Sequence, residues 1–256
     1  MLRSNAYFME VLRTGICLIG YGKMGKMIED LLHREGRDIN GIIQANTPCE
    51  ERTSLLKKSA VAIEFTSPEA AIENIMHAVE CGCAVVCGTT GWYAKQHMVF
   101  EHILKHEGAL IYASNFSTGV YLFLKEAARM ARSMQAMDGY AVSIEETHHL
   151  AKKDAPSGTA ISLAETVLPF YTELKGWCKD EQNSSNALPI KSIREDQVPG
   201  THHLIFRSKN DELVLTHCAF GREGFATGAI EAADWIVGKS GVFGIEEMLS
   251  DIQKRQ

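Results

Sequence analysis

The segment from Ile16 to Gly25 constrains the fold of this 256-residue chain most strongly, because it joins a short apolar run to a helical pattern through glycines. Gly20, Gly22 and Gly25 have the spacing Gly-x-Gly-x-x-Gly. At this spacing the first two glycines permit a tight turn close to a pyrophosphate, and the third lets the helix pack on the strand. The pattern predicts a dinucleotide-binding turn, and the alternative is a strand-to-helix turn without a ligand. The candidate cofactor-binding residues are Gly20, Tyr21, Gly22, Lys23, Met24 and Gly25.

Further apolar runs alternate with helical patterns along the first half of the chain. These runs cover residues 39–45, 60–65, 83–87 and 109–113. Such alternation of strands and helices is typical of a parallel, doubly wound sheet with helices on its faces. We therefore predict an α/β fold that begins with a Rossmann-type dinucleotide-binding domain.

The second half of the chain has a different pattern. A long amphipathic helix is expected over Val120 to Met134, and a strand over Tyr140 to Thr147. Two later runs, His202 to Arg207 and Glu212 to Ala219, flank a turn and predict a hairpin. These elements indicate a second, mixed sheet.

The two patterns together predict two domains. We expect the dinucleotide-binding domain to cover residues 1–118 plus 222–256. An inserted α+β domain for substrate binding and oligomerisation would cover residues 119–221. The final helix, expected over Thr227 to Val237, would return to pack on the first domain.

Composition limits the partners of the chain. The net charge is -6 with a pI near 5.9, which disfavours an extensive nucleic-acid-binding surface. No apolar run approaches the length of a membrane span, and Met1 to Glu10 lack the apolar core of a secretory signal. The seven cysteines show no Cys-x-x-Cys spacing, and no histidine completes a zinc pattern with them. We expect a reduced, cytoplasmic protein that has no metal and that binds neither nucleic acid nor a membrane.

A segment with two histidines and two lysines precedes Pro156-Ser157-Gly158-Thr159 and a helical pattern. A proline and a capping serine at this place predict a helix start, whose free N–H groups and positive dipole end suit a carboxylate or phosphate. His148 can move protons near neutral pH, and Lys152 adds a cation. The combination predicts a reaction site for an acidic small molecule. Taken singly, the histidines could be structural, and Lys152 and Lys153 could be a solvated charge pair.

The same segment, from Glu146 to Ala160, resembles the signature of the dihydrodipicolinate reductase family. That signature is roughly Glu-x-His-His-x-x-Lys-x-Asp-Ala-Pro-Ser-Gly-Thr-Ala. The loops Gly88-Thr89-Thr90-Gly91 and Ala113-Ser114-Asn115-Phe116-Ser117 are also similar to the family, as is the stretch from Arg222 to Ala229. The likeness extends from about Thr14 to Leu249.

The resemblance implies NAD(P)H-dependent reduction of 4-hydroxy-tetrahydrodipicolinate, a cyclic dicarboxylate, to tetrahydrodipicolinate by a homotetramer. This reaction is a step toward diaminopimelate and lysine. His148 and Lys152 would be catalytic, and either of them could deliver the proton. His149, Gly158 and Thr159 would bind the substrate. The residues that would line the nicotinamide are Gly88, Thr89, Thr90, Ser114, Asn115 and Phe116.

The choice between NADH and NADPH is open in the sequence. Dinucleotide sites usually place an acidic residue at the end of the second strand, but this chain has Gln44-Ala45-Asn46 there, where the family often has an acid. Without a carboxylate to repel the 2′-phosphate, NADPH or dual use is slightly favoured. Lys23 or Arg52 are the candidates to reach that phosphate.

Two other functions are weighed against the reductase. One is another NAD(P)-dependent dehydrogenase of a small acidic substrate, and the other is a catalytically silent nucleotide sensor. Strand alternation predicts that one of His202 and His203 points inward, where a structural role is favoured and an approach to the substrate cleft is the alternative. The remaining histidines, which are expected on helix surfaces, are His33, His77, His97, His102 and His106.

Overall fold

The computed structural model describes residues 15–179 and 186–254. The chain divides into two compact units. One unit comprises the described residues up to Ser117 and from Glu223 onward, and the other is Thr118–Arg222. The segment Met1 to Glu10, which lacks the apolar core of a secretory signal, lies outside the described residues. The roles assigned to the two domains stay a prediction at this point.

The first unit is built on a six-stranded sheet in which every described pairing is parallel. Its strand order is β11-β5-β4-β3-β1-β2. The strands are β1 (Ile16–Ile19), β2 (Ile39–Ile43), β3 (Val61–Glu64), β4 (Ala84–Cys87), β5 (Ala109–Tyr112) and β11 (Gly241–Phe243). The helices are α1 (Lys23–Arg34), α2 (Cys49–Lys58), α3 (Pro68–Glu80), α4 (Gln96–Lys105), α7 (Glu223–Ile236) and α8 (Ile245–Lys254). This arrangement confirms the expected Rossmann-type fold.

The second unit contains a mixed five-stranded sheet with the order β10-β9-β6-β8-β7. Its strands are β6 (Ala141–His148), β7 (Trp177–Lys179), β8 (Leu188–Arg194), β9 (Gly200–Arg207) and β10 (Glu212–Ala219). Two helices, α5 (Thr118–Met134) and α6 (Gly158–Val167), share a core with this sheet. The predicted hairpin is confirmed, since β9 and β10 pair antiparallel along their whole length.

Helix α7 shows how closely the first unit is packed. It contacts α1, β3 and β4, so it returns to this unit as expected. The expectation that it is the final helix is wrong, because α8 follows it. A Cβ atom added at Gly228 would lie 1.8 Å from the carbonyl oxygen of Phe116, so only glycine permits this approach. The helix begins one turn before the predicted Thr227 and ends at Ile236, which leaves Val237 largely exposed.

Several elements escape the sequence pattern. Strands β7 and β11 have three residues each, too few for a visible period. Strand β8 carries Pro189, a residue that counts against a strand within a sheet. Helix α2 buries only Leu56, so its sequence shows almost no amphipathic period.

The helix histidines are not all surface residues. His33, His97 and His106 are exposed as expected. The expectation is wrong for His77 and His102, which are half-buried because they face the adjacent helix rather than solvent.

Candidate active site

The glycine turn of the first unit has the geometry expected of a phosphate-binding turn. Gly20 has a φ of +95°, and a Cβ atom there would lie 2.1 Å from the carbonyl oxygen of Phe65. A Cβ atom at Gly25 would lie 2.3 Å from the carbonyl oxygen of Gly20. Gly22, the residue before α1, faces open space instead, since an added Cβ atom there meets nothing within 4 Å. The first two constraints fix the turn, and the open face leaves the amino end of α1 accessible to an anion.

A cavity of about 620 Å³ lies at the carboxyl ends of β1, β2 and β3, and we call it the coenzyme pocket. The glycine turn lines one side, Gln44 and Ala45 line the second, and residues 65–67 line the third. In open α/β sheets this edge is where ligands bind. The volume and position suit the adenosine half of a dinucleotide. Gln44 therefore stands where the sequence analysis sought an acidic residue.

Arg52 is the cationic side chain among the residues that line the coenzyme pocket. It projects from α2 and donates a hydrogen bond to Oδ1 of Asn74. Its Nε is shielded from solvent and has no hydrogen-bond partner among residues 15–179 and 186–254. Glu73 is the one acidic residue of the lining, and Lys23 is not part of it. Of the two candidates for a 2′-phosphate, the pocket therefore presents Arg52.

The loop after β4 is held by hydrogen bonds within the first unit. The side-chain oxygen of Thr89 accepts from the N–H of Thr66 at 2.8 Å, and its carbonyl accepts from Nε1 of Trp92 at 2.8 Å. Gly88 lies so close to Phe65 that an added Cβ atom would be 2.0 Å from the ring. Thr90 is exposed. These hydrogen bonds hold the backbone of the loop in place, and Thr90 is the residue whose side chain is exposed to solvent.

The loop after β5 has a similar construction. Oδ1 of Asn115 accepts from the N–H of Ser117 at 2.8 Å, and Phe116 is buried beneath Gly228. Ser114 is exposed. Both loops lie at the carboxyl edge of the sheet, where the sequence predicts cofactor contacts. The side chains of Thr89 and Phe116 are buried and contact the protein interior instead.

In the second unit, Glu146 is the first residue of the motif Glu146 to Ala160, and its carboxylate has no solvent exposure. It accepts hydrogen bonds from the N–H of Ser157 at 3.1 Å and from Oγ of Ser192 at 2.7 Å. Arg194 contacts it at 3.3 Å, and Nδ1 of His148 lies 3.2 Å from its Oε2. Burial alone would raise the pKa of Glu146, but the contacts from His148, Ser157 and Ser192 outweigh burial and hold that pKa well below its usual range. Glu146 is therefore an ionised anchor.

His148 is buried at the carboxyl end of β6, with Nδ1 turned toward Glu146. Its other nitrogen, Nε2, lies 2.9 Å from the place where a Cβ atom on Gly200 would be. Glycine at that position leaves room beside Nε2. The arrangement directs one nitrogen to the internal carboxylate and keeps the other for a ligand.

Lys152 and the start of α6 complete the motif. Nζ of Lys152 lies 2.8 Å from a carboxylate oxygen of Asp154, and this hydrogen bond lowers the pKa of Asp154. The N–H of Lys152 donates to the carbonyl of His149, a half-buried residue in the same turn. Gly158 is exposed and Thr159 half-buried in the first turn of α6. The five predicted catalytic and substrate-binding residues thus lie between the carboxyl end of β6 and the first turn of α6, and of these His148 contacts Glu146 directly.

His202 belongs to this site, which is the alternative that the sequence left beside the favoured structural role. It pairs with Glu146 across the β6–β9 register and is buried, while His203 turns outward to Thr216. Nε2 of His202 lies 3.1 Å from Oγ of Ser157, which accepts from the N–H of Ala160. Burial, followed by repulsion from His148, lowers the pKa of His202 to about 4. His202 is therefore neutral and supports the serine that caps α6.

The arrangement of His202 predicts a pH-dependent stability. Unfolding restores an ordinary histidine pKa near 6.5, so the unfolded chain takes up a proton below that pH while the folded chain does not until about pH 4. Lowering the pH from about 7.5 to about 5 should therefore remove about 2 kcal/mol of stability through this group. We expect His202→Asn to flatten this pH dependence in urea-unfolding measurements.

His203→Asn is the matched control, because His203 is the outward neighbour on the same strand. It should retain the pH dependence of the parent chain. Identical slopes in the parent and in His202→Asn would show that His202 is not held neutral.

Comparisons with known proteins agree with this geometry. The family model described as "Dihydrodipicolinate reductase, N-terminus" matches residues 14–116, and the one described as "Dihydrodipicolinate reductase, C-terminus" matches residues 119–249. The chain is 41% identical to a 4-hydroxy-tetrahydrodipicolinate reductase from Christiangramia forsetii, covering 93% of this chain and 99% of the relative. A reductase of the same name from Methanoregula boonei is 33% identical over 75% of this chain and 76% of its own length.

A solved structure supports the fold. A dipicolinate-bound dihydrodipicolinate reductase from Paenisporosarcina sp. TG-14 superposes with a TM-score of 0.70 at 21% identity, covering 91% of this chain and 97% of that chain. The resemblance expected from the sequence is confirmed, and the chain belongs to the dihydrodipicolinate reductase family.

Proposed function

We propose that this chain reduces 4-hydroxy-tetrahydrodipicolinate to tetrahydrodipicolinate with loss of water, with the site residues acting as set out below. Family membership makes the chain an NAD(P)H-dependent oxidoreductase of lysine and diaminopimelate biosynthesis. The observation that carries the residue assignment is that one buried carboxylate, Glu146, lies 3.2 Å from Nδ1 of His148 and accepts the N–H of Ser157 at the start of α6. The alternatives, another small-acid dehydrogenase or a silent sensor, are not favoured, because both relatives described above are named for this reductase activity.

The coenzyme, when bound, supplies the hydride. The glycine turn and the amino end of α1 suit its pyrophosphate, and the coenzyme pocket suits its adenosine. We assign the nicotinamide to the loops after β4 and β5. Their exposed side chains, Thr90 and Ser114, are the most available for direct contact.

His148 is the proton donor in this proposal. A protonated imidazole would hold Nδ1–H toward Glu146 and present Nε2–H to the substrate, which must gain a proton after the hydride. Lys152 is the second candidate donor. The ammonium of Lys152 already pairs with the carboxylate of Asp154. We therefore assign Lys152 first to binding a substrate carboxylate, which would replace one carboxylate partner by another.

The second substrate carboxylate is assigned to the first turn of α6. Four N–H groups lie at this helix start, and two have internal partners: Ser157 donates to Glu146, and Ala160 donates to Oγ of Ser157. This leaves the N–H groups of Gly158 and Thr159, which we call the anion cradle. The hydroxyl of Thr159 adds a third donor. His149 lies in the adjoining turn and is the remaining substrate-binding candidate.

The small dicarboxylate, a homotetrameric assembly and a cytoplasmic location are also proposals. The dipicolinate held by the Paenisporosarcina enzyme supports the first. Exposed apolar side chains on and after β10, such as Leu213, Val214 and Phe220, suit contact with another subunit. Buried cysteines such as Cys17, whose pKa burial raises to about 12, suit a reducing compartment.

No helix within residues 15–179 and 186–254 is both long and apolar enough to cross a membrane.

Replacing His148 tests the proton donor. We expect His148→Gln to lower kcat by roughly two orders of magnitude or more, the usual scale for a general acid. Coenzyme affinity should be unchanged, because the glycine turn belongs to the other unit. The assay couples enzymatic generation of 4-hydroxy-tetrahydrodipicolinate to the loss of reduced-nicotinamide absorbance.

The parent chain must be active in the same assay, or the proposed reaction itself is wrong. His203→Gln is the control for a histidine change outside the site. Turnover of His148→Gln within a few-fold of the parent would transfer the donor role to Lys152.

Replacing Thr159 tests the anion cradle. Thr159→Val keeps the branched shape but removes the hydroxyl, and loss of a hydrogen bond to a charged group costs about 1.5–3 kcal/mol. We expect pyridine-2,6-dicarboxylate, a planar substrate analogue, to bind correspondingly more weakly in calorimetric titrations with coenzyme present. Thr166→Val makes the same change at the other end of α6, where the hydroxyl donates to Ser162, and should leave the affinity unchanged. Equal affinity of Thr159→Val and the parent would make this turn a helix cap only.

Arg52 predicts how the chain treats the two coenzymes. With Gln44 neutral and one cation, Arg52, and one acid, Glu73, in the lining of the coenzyme pocket, we expect NADPH and NADH to differ by less than about a hundredfold in kcat/KM. Arg52→Gln should weaken adenosine 2′,5′-bisphosphate roughly tenfold or more and leave adenosine 5′-phosphate nearly unchanged. Gln44→Asp should shift the preference toward NADH through repulsion of the phosphate.

Lys57→Gln is the matched control, since it removes an exposed positive charge from the same helix. Steady-state kinetics with both coenzymes and titration of both nucleotides give the readouts. A thousandfold preference in the parent, or equal losses for both nucleotides in Arg52→Gln, would show that the 2′ group lies elsewhere.

A further inference from the structure

Three side chains with metal-binding atoms meet at the edge of the first unit opposite the coenzyme pocket. Glu80 is the last residue of α3, His102 lies in the last turn of α4, and His106 follows that helix directly. Their ligand atoms all lie within 4.8 Å of one another. We call these three residues the helix-end cluster. The sequence predicts no metal, because no histidine completes a zinc pattern with the cysteines and the meeting of two helix ends is not visible in the sequence.

The spacing within the helix-end cluster matches a zinc site. Nε2 of His102 lies 3.3 Å from Oε1 of Glu80. Zinc binds nitrogen and oxygen at about 2.0–2.2 Å in tetrahedral geometry, which separates two ligand atoms by about 3.4 Å. His102 and Glu80 already have this separation.

His106 is placed to supply the third ligand. Its ring stacks on that of His102 with centroids 4.4 Å apart, as expected for residues four apart on one helix face. Two histidines at this spacing are a recurrent zinc-binding pair. The ring nitrogen of His106 lies within 4.8 Å of the other two ligand atoms. Because His106 is exposed, rotation of its side chain can shorten this separation to that of a zinc site.

Burial and electrostatics favour a bound cation at the helix-end cluster over the direct contact of His102 with Glu80 alone. The side chain of His102 is only 14% exposed, and its Nε2 makes no hydrogen bond of normal geometry within the described residues. Two helices end at the cluster, and their C-terminal ends carry the negative ends of the helix dipoles. Lys105 is the opposing charge in the same turn, and it is exposed.

We propose that Glu80, His102 and His106 bind a zinc ion that joins the C-terminal ends of α3 and α4, with the fourth position open to water. The site lies at the C-terminal end of α3, whereas the residues of α3 that line the coenzyme pocket lie nearer its N-terminal end, and the zinc takes no part in the reduction. Its effect is on the stability of the packing between the two helices, because zinc bound only by the folded chain adds its binding free energy to folding.

The test is a titration of the full chain with Zn²⁺ alone, followed by calorimetry and by thermal unfolding. We expect saturable binding and a zinc-dependent rise in Tm for the parent. His106→Ala changes an exposed residue, so it should fold. It should weaken zinc binding by at least roughly tenfold and remove the rise in Tm. Glu80→Gln should do the same while keeping the side-chain size.

His97→Ala is the matched control, because His97 is an exposed histidine of α4 that pairs with Glu101 instead. It should bind zinc as the parent does. The buried group of Glu146, His148 and His202 is the competing zinc site, and the helix-end variants leave it intact. Zinc affinity unchanged in both His106→Ala and Glu80→Gln, or no saturable binding in the parent, would overturn the proposal.

Discussion

The buried carboxylate of Glu146 is the interaction on which the candidate site depends. An ionised carboxylate without solvent exposure is strongly unfavourable unless it is paired and hydrogen-bonded. Its donors outside β6, namely Ser157, Ser192 and Arg194, lie between 11 and 48 residues away in sequence. The charge is therefore satisfied only when β6, β8 and the start of α6 are all in place. Loss of one donor would leave a partly uncompensated buried charge, so the geometry of the site depends on all of these donors together.

The same carboxylate couples the proton donor to the anion cradle. It contacts Nδ1 of His148 on one side and the N–H of Ser157 on the other. Because the hydroxyl of Ser157 also caps α6, a displacement of Glu146 would move the imidazole and the helix start together. A buried ion of this kind adds little net stability compared with apolar packing. Its contribution is positional, since donors held in fixed geometry need not reorganise during reaction.

Features that depend on local backbone or on periodicity could be predicted from the sequence. The glycine turn is one, because the close approach of Gly25 to the carbonyl oxygen of Gly20 lies within the turn itself. The helix start at Ser157 is another, because capping needs only adjacent residues. Arg52 and Arg194 could not be placed, since each comes from an element that the sequence pattern does not predict: α2 has almost no amphipathic period, and β8 contains a proline. Coenzyme preference is open in the sequence because Gln44-Ala45-Asn46 offers neither an acid nor an arginine, whereas the cation of the coenzyme pocket comes from α2.

His202 shows that a sequence pattern can predict the direction of a side chain without predicting its partners. Alternation along β9 requires that one of two adjacent histidines points inward, and His202 does. Alternation alone cannot identify the partner of that histidine. The partner is set by the register of β9 against β6, which pairs His202 with Glu146 and brings its ring to Ser157. The segment from Glu146 to Ala160 therefore does not hold the whole site. The carboxylate of Glu146 also accepts hydrogen bonds from β8, and Ser157 contacts His202 of β9.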